Sequence, residues 1–162
     1  MKIKIKRIPN ARGERVEMPK VIGKGDWIDL RAAIGGDEDS MKHYTVAIPL
    51  GVAIKLPKGY EALVLSRSST FKHFGLEAQN AMGVIDNSYH GDGDQWHYIG
   101  KRSNMKKSWS QGDRICQFRV QLSQRATMWQ KLKWLFDSTI ELVEVDELNA
   151  TNRGGIGSTG VK

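Results

Sequence analysis

Residues 84–92, VIDNSYHGD, place Asp86 at the end of an apolar strand and follow it with turn-forming Asn87, Ser88 and Gly91. Alone, such an aspartate reads as an Asx-turn residue. Its company supports a second reading: Tyr89 lies three positions on, Asn80 precedes the strand, and further carboxylates stand at Asp92 and Asp94. A carboxylate held near water in a partly desolvated pocket is a general base. A magnesium ion close by would take carboxylates directly or through water. A second cluster, SRSSTFKHFG at 66–75, sets Arg67 among Ser66, Ser68, Ser69 and Thr70. A rigid guanidinium fork beside several hydroxyls suits a polyphosphate; the plainer alternative is a Ser-rich turn with a solvated Arg.

Three weaker segments could join them. GDRICQFRV at 112–120 spaces Arg114 and Gln117 three apart on a strand, hence on opposite faces. Arg114 then suits a structural ion pair and Gln117 a surface polar position. DWIDLRAA at 26–33 carries Asp26 and Asp29 around an apolar strand, so that one of them can face a shared site. In the tail, NATNRGGIGSTGVK at 149–162, four glycines surround Ser158 and Thr159 with Arg153 ahead, a set of donors suited to phosphate oxygens. The same composition also describes a mobile end that buries little. It is not a P-loop, because no GK[ST] tripeptide follows a strand.

The elements that must position these groups read as β. Alternation of period two recurs in KIKIKRI, YTVAIPLGVAIKLP, YEALVLS, DRICQFRVQL and TIELVEV, with Pro49, Gly51, Pro57, Gly59 and Gly112 near their ends. Short strands between Gly/Pro turns predict a sandwich, jelly roll or small barrel. One helix is predicted over 127–137, where Thr127 and Gln130 form a capping-box signature. Met128, Trp129, Leu132, Leu135 and Phe136 share one face, Gln130, Lys131, Lys133 and Asp137 lie opposite, and Trp134 points away from the stripe. Either the stripe packs on the sheet, or the helix is an interaction surface bearing an exposed Trp134.

At 162 residues and 40% hydrophobic content, the chain fits one soluble domain with a real core. No apolar run nears the roughly 20 residues that span a bilayer, and MKIKIKRIPN lacks the continuous apolar stretch of a secretory signal. A single cysteine, Cys116, excludes an internal disulfide and favours a reducing cytoplasm. The net charge of +7 attracts polyanions, but the basic residues are spread along the chain, so neither a membrane nor a specific nucleic-acid partner is expected.

Together and in order, DWIDLRAA, SRSSTFKHFG, NAMGVIDNSYHGD, GDRICQFRV and GGIGSTG resemble the five motifs of the homotrimeric dUTP pyrophosphatases, the dUTPases, from about Gly25 to Gly160. The wording is most similar to dUTPases of Bacillus prophages and related phages of Gram-positive bacteria. The resemblance implies an all-β, jelly-roll-like (β-clip) homotrimer that hydrolyses dUTP to dUMP and pyrophosphate with Mg²⁺. It implies Asp86 as the base toward the α-phosphorus, Tyr89 under the deoxyribose, and Asn80 with the backbone of Gly83, Val84 and Ile85 on the uracil edge. Arg67, Ser68, Ser69 and Gln117 would grip the phosphates, and Asp29 would reach magnesium through a water. Residues 1–150 would form the β domain, with 127–137 inserted and dispensable for hydrolysis. Residues 151–162 would form an arm closing over a site shared among subunits, bringing Arg153, Gly157, Ser158 and Thr159 to the phosphates.

The chain departs from the family in places. Ile156 stands where the family usually has a Phe that covers the base, and Trp96 is the candidate substitute lid. Arg153 abuts Gly154 directly, two residues nearer the glycines than the family's arm Arg. His90 replaces a frequent Arg, and Ser69 a common Gly. Two alternatives accompany the main reading: a dCTP deaminase of the same fold, which would need a Glu base, and an additional regulatory-protein contact through the inserted helix, as in some phage dUTPases.

Overall fold

A computed structural model describes residues 1–23, 25–36, 43–103 and 106–155 of the chain. Strand β1 (Lys2–Arg7) turns Ile3 and Ile5 inward and Lys2 and Lys4 outward, as its alternation requires. It pairs antiparallel with β4 (Val52–Lys55) and parallel with β10 (Glu141–Glu144), so the two ends of the chain close one sheet. A four-stranded sheet runs β2 (Ile28–Arg31), β9 (Arg114–Leu122), β5 (Tyr60–Ser66) and β7 (Gly83–Asp86). A third sheet runs β3 (Thr45–Pro49), β8 (His97–Arg102) and β6 (Leu76–Ala78). The inner faces meet in one cluster that includes Ile5, Leu30, Ile54, Leu76, Trp96 and Phe118. The all-β expectation holds.

Two helices interrupt the strands among the described residues. The short α1 (Thr70–Phe74) falls inside the Ser-rich segment expected to be a loop, and ends at Gly75 in the left-handed region at φ 62°. The second, α2 (Met128–Phe136), starts as predicted, with Thr127 and Gln130 completing the capping box. Its rotation corrects the expectation. Trp129, Leu135 and Phe136 are 81%, 78% and 85% exposed, whereas Trp134 turns inward to pack, tilted, against Tyr60 at 5.4 Å. The cause is a polar anchor. Gln130 Nε2 donates to the Lys58 carbonyl at 2.6 Å, in a space left open by Gly59, where an added Cβ would lie 2.4 Å from Gln130 Oε1. Residues 130 and 134 share a face one turn apart, so fixing Gln130 carries Trp134 inward and the apolar stripe outward. No helix among the described residues is long and apolar enough to cross a membrane.

Candidate active site

β7 is an edge strand: Ala62, Leu63 and Val64 of β5 face Ile85, Val84 and Gly83 on one side, and no strand pairs with the other side among the described residues. An edge of this kind presents unpaired backbone N–H and C=O groups. It borders a cavity of about 310 Å³ lined by Asn80, Gly83, Val84, Ile85, Asp86 and Tyr89, with Arg153 and Gly154 closing one side. That volume is at the small end of the range for ligand pockets, suited to a nucleoside-sized group. The structure therefore brings together the residues expected from the sequence at 80–89 and adds Gln95, just before β8, and His97, its first residue.

Asp86 stands about half exposed at the end of β7. Its Oδ1 accepts from the Ser88 N–H at 2.7 Å and the Ser88 hydroxyl at 2.5 Å, and its Oδ2 from Arg153 Nη1 at 3.1 Å. Desolvation pushes the carboxyl up, but the two Ser88 bonds and the Arg153 charge together outweigh it and hold Asp86 below the ordinary carboxylate range. It is ionised at neutral pH and its lone pairs are aimed. Tyr89 lies beside it with its hydroxyl donating to the Gln95 carbonyl at 2.9 Å, which fixes the ring. Burial, with the Asp94 charge, raises the Tyr89 phenol, so it stays neutral.

A second polar cluster sits at the far end of β5. Arg67 Nε donates to Asp29 Oδ1 at 2.6 Å and Arg114 Nη1 to Asp29 Oδ2 at 3.0 Å, so one carboxylate holds two guanidinium groups. Gln117 pairs opposite Asp29 and donates to the Ser66 carbonyl at 3.4 Å. The expectation that Arg114 and Gln117 face opposite ways is corrected by a bulge: Leu30 pairs with Cys116 but Arg31 with Arg114, skipping Ile115. Ile115 and Cys116 are both buried in succession, which resets the alternation and brings Arg114 to the Gln117 side.

The hydroxyls divide. Thr70 is buried, donating to the Ile115 carbonyl at 2.7 Å and accepting from the Arg67 N–H at 3.0 Å, and the Ser66 hydroxyl bonds Tyr98. Ser68 is exposed and Ser69 half-buried, so these two remain to meet a ligand.

Other expectations fall differently. Trp96 is fully buried, its ring edge-on to Phe118 at 5.3 Å. A ring locked in the core forms a wall behind the pocket and does not close as a lid. Asp92 and Asp94 do not support a metal near Asp86: they accept backbone N–H groups of residues 148–154. Ile156, Gly157, Ser158 and Thr159 lie outside the described residues. No cluster of three potential metal ligands exists among the described residues. Sequence reasoning missed Asn152 and took Asp94 for a metal-type carboxylate, because their partners lie about sixty positions apart in the chain. The only local signal was the pair of glycines at 91 and 93.

No protein-family model matches the chain. It is 44% identical over 167 aligned residues, covering all of both chains, to the SPbeta prophage-derived deoxyuridine 5′-triphosphate nucleotidohydrolase YosS of Bacillus subtilis. Its fold is similar to that of a dUTPase variant from phage phi11 of Staphylococcus aureus, described with a structural Mg(II) ion, with TM-score 0.58 at 18% identity over 78% of this chain and 94% of that one. The dUTPase of Staphylococcus bacteriophage 80alpha, described as one of the phage dUTPases that control transfer of virulence genes, gives TM-score 0.57 at 17% identity over 78% and 93%. With full-length identity to the Bacillus protein at this level, the chain belongs to the deoxyuridine 5′-triphosphate nucleotidohydrolase (dUTPase) family.

Proposed function

We infer that the chain hydrolyses dUTP to dUMP and pyrophosphate, limiting uracil incorporation into DNA and supplying dUMP for thymidylate synthesis. The observation that carries the reading is the open edge of β7 delivering an ionised Asp86 to the mouth of a nucleoside-sized cavity. Asp86 takes a proton from water as the water oxygen bonds to the α-phosphorus; the bond from that phosphorus to the bridging oxygen breaks, and pyrophosphate leaves. Such a transfer depends on positioning and charge neutralisation, and no nucleophilic side chain is required. Asn80 and the backbone of Gly83, Val84 and Ile85 read the uracil edge. Tyr89 lies under the deoxyribose, where its fixed ring leaves no room for a 2′-hydroxyl.

Arg67, Ser68, Ser69 and Gln117 take the phosphates, with Arg114 sharing Asp29 as a brace. Arg153 leaves Asp86 for a phosphate oxygen when substrate binds, and the arm beyond it adds further donors. The donor set fits Mg²⁺ held chiefly by the triphosphate's own oxygens, as hydrated magnesium commonly is, with Asp29 reaching it through a water. A cage built by the protein alone does not fit, because no three His, Cys, Asp or Glu side chains come together to hold an ion among the described residues. Bound magnesium would neutralise phosphate charge. The setting we assign is the cytoplasm, where the buried Cys116 remains a thiol.

Within one chain, the two clusters are too far apart to serve one triphosphate. Asp86 pairs opposite Glu61 whereas Arg67 follows Ser66, and five strand residues span about 17 Å. The distance from α- to γ-phosphorus is far shorter. This favours a site assembled between copies of the chain, in a homotrimer.

Pyrophosphate release from a panel of dUTP, dTTP, dCTP and UTP, with and without EDTA, tests the reading. Release from dUTP alone, lost in EDTA, is expected; ammonia release from dCTP would point to a deaminase instead. In the same panel Tyr89→Ala should admit UTP, with discrimination falling by roughly 1–3 kcal/mol, the scale of one steric contact. An unchanged dUTP-to-UTP ratio would remove Tyr89 from the sugar gate.

The outward stripe of α2 favours a second role beside catalysis, contact with a regulatory protein. The surface for it is Met128, Trp129, Leu135 and Phe136, and not Trp134, which is engaged with Tyr60. Trp129→Glu with Phe136→Glu is expected to leave dUTP turnover within about twofold, as surface changes usually do. A large loss of turnover would place the helix in the catalytic assembly.

A further inference from the structure

One pair of hydroxyls ties the wall of the nucleoside-sized cavity to the start of the loop that carries Arg67. Tyr98, on β8, lines the cavity and is only 3% exposed. Val64, on β5, lines it from the four-stranded sheet. Ser66 stands two residues further along β5 and so on the same face, where its hydroxyl meets that of Tyr98 at 2.7 Å. The bond thus joins the third sheet to the four-stranded one. Burial pushes the Tyr98 phenol up to about 12, against a smaller opposite pull from Ser66, so it stays a neutral hydroxyl. Each hydroxyl has a partner in a place where an unpaired one is costly. Ser66 is also a node of the phosphate cluster. Its carbonyl accepts from Gln117 Nε2 at 3.4 Å, and the next residue is Arg67, braced on Asp29 at 2.6 Å. The far end of the loop is fastened separately, through the buried Thr70 on the Ile115 carbonyl.

We propose that Tyr98 is a positioning residue whose hydroxyl, acting through Ser66, sets the direction in which Arg67 and Gln117 meet the phosphates. The proposal rests on the reading of the Arg67 cluster as the phosphate grip of a dUTP hydrolase. Without the phenol oxygen, the Ser66 side chain loses its tether to the third sheet. Its carbonyl is then free to turn away from Gln117, and Arg67 starts from a looser backbone. A grip of this kind depends on angles, so a small rotation at its root is costly to the groups it aims. The Tyr98 ring belongs to the core cluster and stays in place without its oxygen, so the cavity keeps its wall. Loss of the hydroxyl is therefore felt at the phosphates and not at the base.

The experiment compares the unaltered full chain with Tyr98→Phe, Ser66→Ala and the double variant. Tyr98→Phe keeps the ring and removes only the oxygen. Calorimetry with two probes separates the halves of the substrate: imidodiphosphate with Mg²⁺ for the phosphate grip, and deoxyuridine for the cavity. Tyr98→Phe should bind imidodiphosphate about five- to tenfold more weakly, the scale of one hydrogen bond, while its Kd for deoxyuridine stays within about twofold. kcat/KM for dUTP should fall by the same factor as imidodiphosphate affinity. Unchanged imidodiphosphate binding, or an equal loss for both probes, would leave Tyr98 a wall of the pocket and overturn the proposal. The double variant should be no worse than Tyr98→Phe, because either change breaks the same bond. Losses that multiply would show two independent roles and also overturn it. Should Tyr98→Phe fail to fold, Ser66→Ala gives the same comparison between the probes. Failure of the dUTP reading would look different: the unaltered chain would bind neither probe, whereas thermal unfolding would still show the two single changes to be non-additive.

Discussion

Asp86→Asn is expected to remove nearly all turnover, by about 10²–10⁴-fold, the usual contribution of a positioned general base, while dUTP with Mg²⁺ still binds. Asparagine keeps an oxygen for the Ser88 N–H and hydroxyl that now point at Oδ1, so the hairpin should keep its shape. What is lost is the lone pair that receives the water's proton. The pH profile offers a second check on the same residue. Asp86 is held below the ordinary carboxylate range, so activity should be complete at neutral pH and fall only as acid protonates it there. Arg153→Gln removes one of the causes that lower it in the free protein and should move the acid limb of kcat/KM upward. Near-normal turnover in Asp86→Asn at neutral pH, measured with saturating dUTP, would overturn the assignment of the base.

Much of the scaffold was legible because its signal is local. In β1 apolar residues recur every second position, and in β5 the buried ones do, which is the signature of a half-buried sheet. Turns at Gly51 and Gly59 adopt the positive φ that their residue type permits. The capping box of α2 was equally local, being four residues read in order. By contrast β8 and β6 escaped, since QWHYIGKR mixes apolar and charged residues without clean alternation and β6 is only three residues long. The rotation of α2 could not be read from its own sequence. It is set by a hydrogen bond from Gln130 to Lys58, and amphipathicity alone pointed the helix the wrong way.

The site divides along the same line. Asp86, Tyr89 and Asn80 were visible because they lie within ten residues of one another around one strand. The placement of Arg114 depended on a bulge, which shifts parity by one and which no residue type in GDRICQFRV announces. Trp96 was read as a lid from its nearness in sequence to the hairpin, whereas the sheet that follows turns its ring into the core. Asp92 and Asp94 looked like metal ligands because carboxylates in a run resemble a cation site. Their partners are backbone amides from the other end of the chain, a relation that only the closed fold makes visible.

Mixing two inactive proteins is expected to restore activity, because the proposed function takes the base and the phosphate grip from different copies. Asp86→Asn retains Arg67, Ser68 and Gln117; Arg67→Ala retains Asp86 and Tyr89. Arg67→Ala alone should lose about 10²–10³-fold, the scale of one removed charge-stabilising donor. Its loop should persist, since Thr70 fastens that loop to β9 through the Ile115 carbonyl and the backbone N–H of residue 67. Co-refolding at equal amounts gives a random closed ring in which about a quarter of sites combine an intact base with an intact grip. Turnover should therefore rise to about a quarter of the unaltered level, far above either parent. If mixed oligomers form, as native mass spectrometry would detect, and activity remains at the parental level, both clusters must act within one chain. The separation along β5 argues against that outcome, since Asp86 and Arg67 lie toward opposite ends of the same strand pair. Co-refolding thus tests whether assembly is part of the catalytic machinery or an accessory to it.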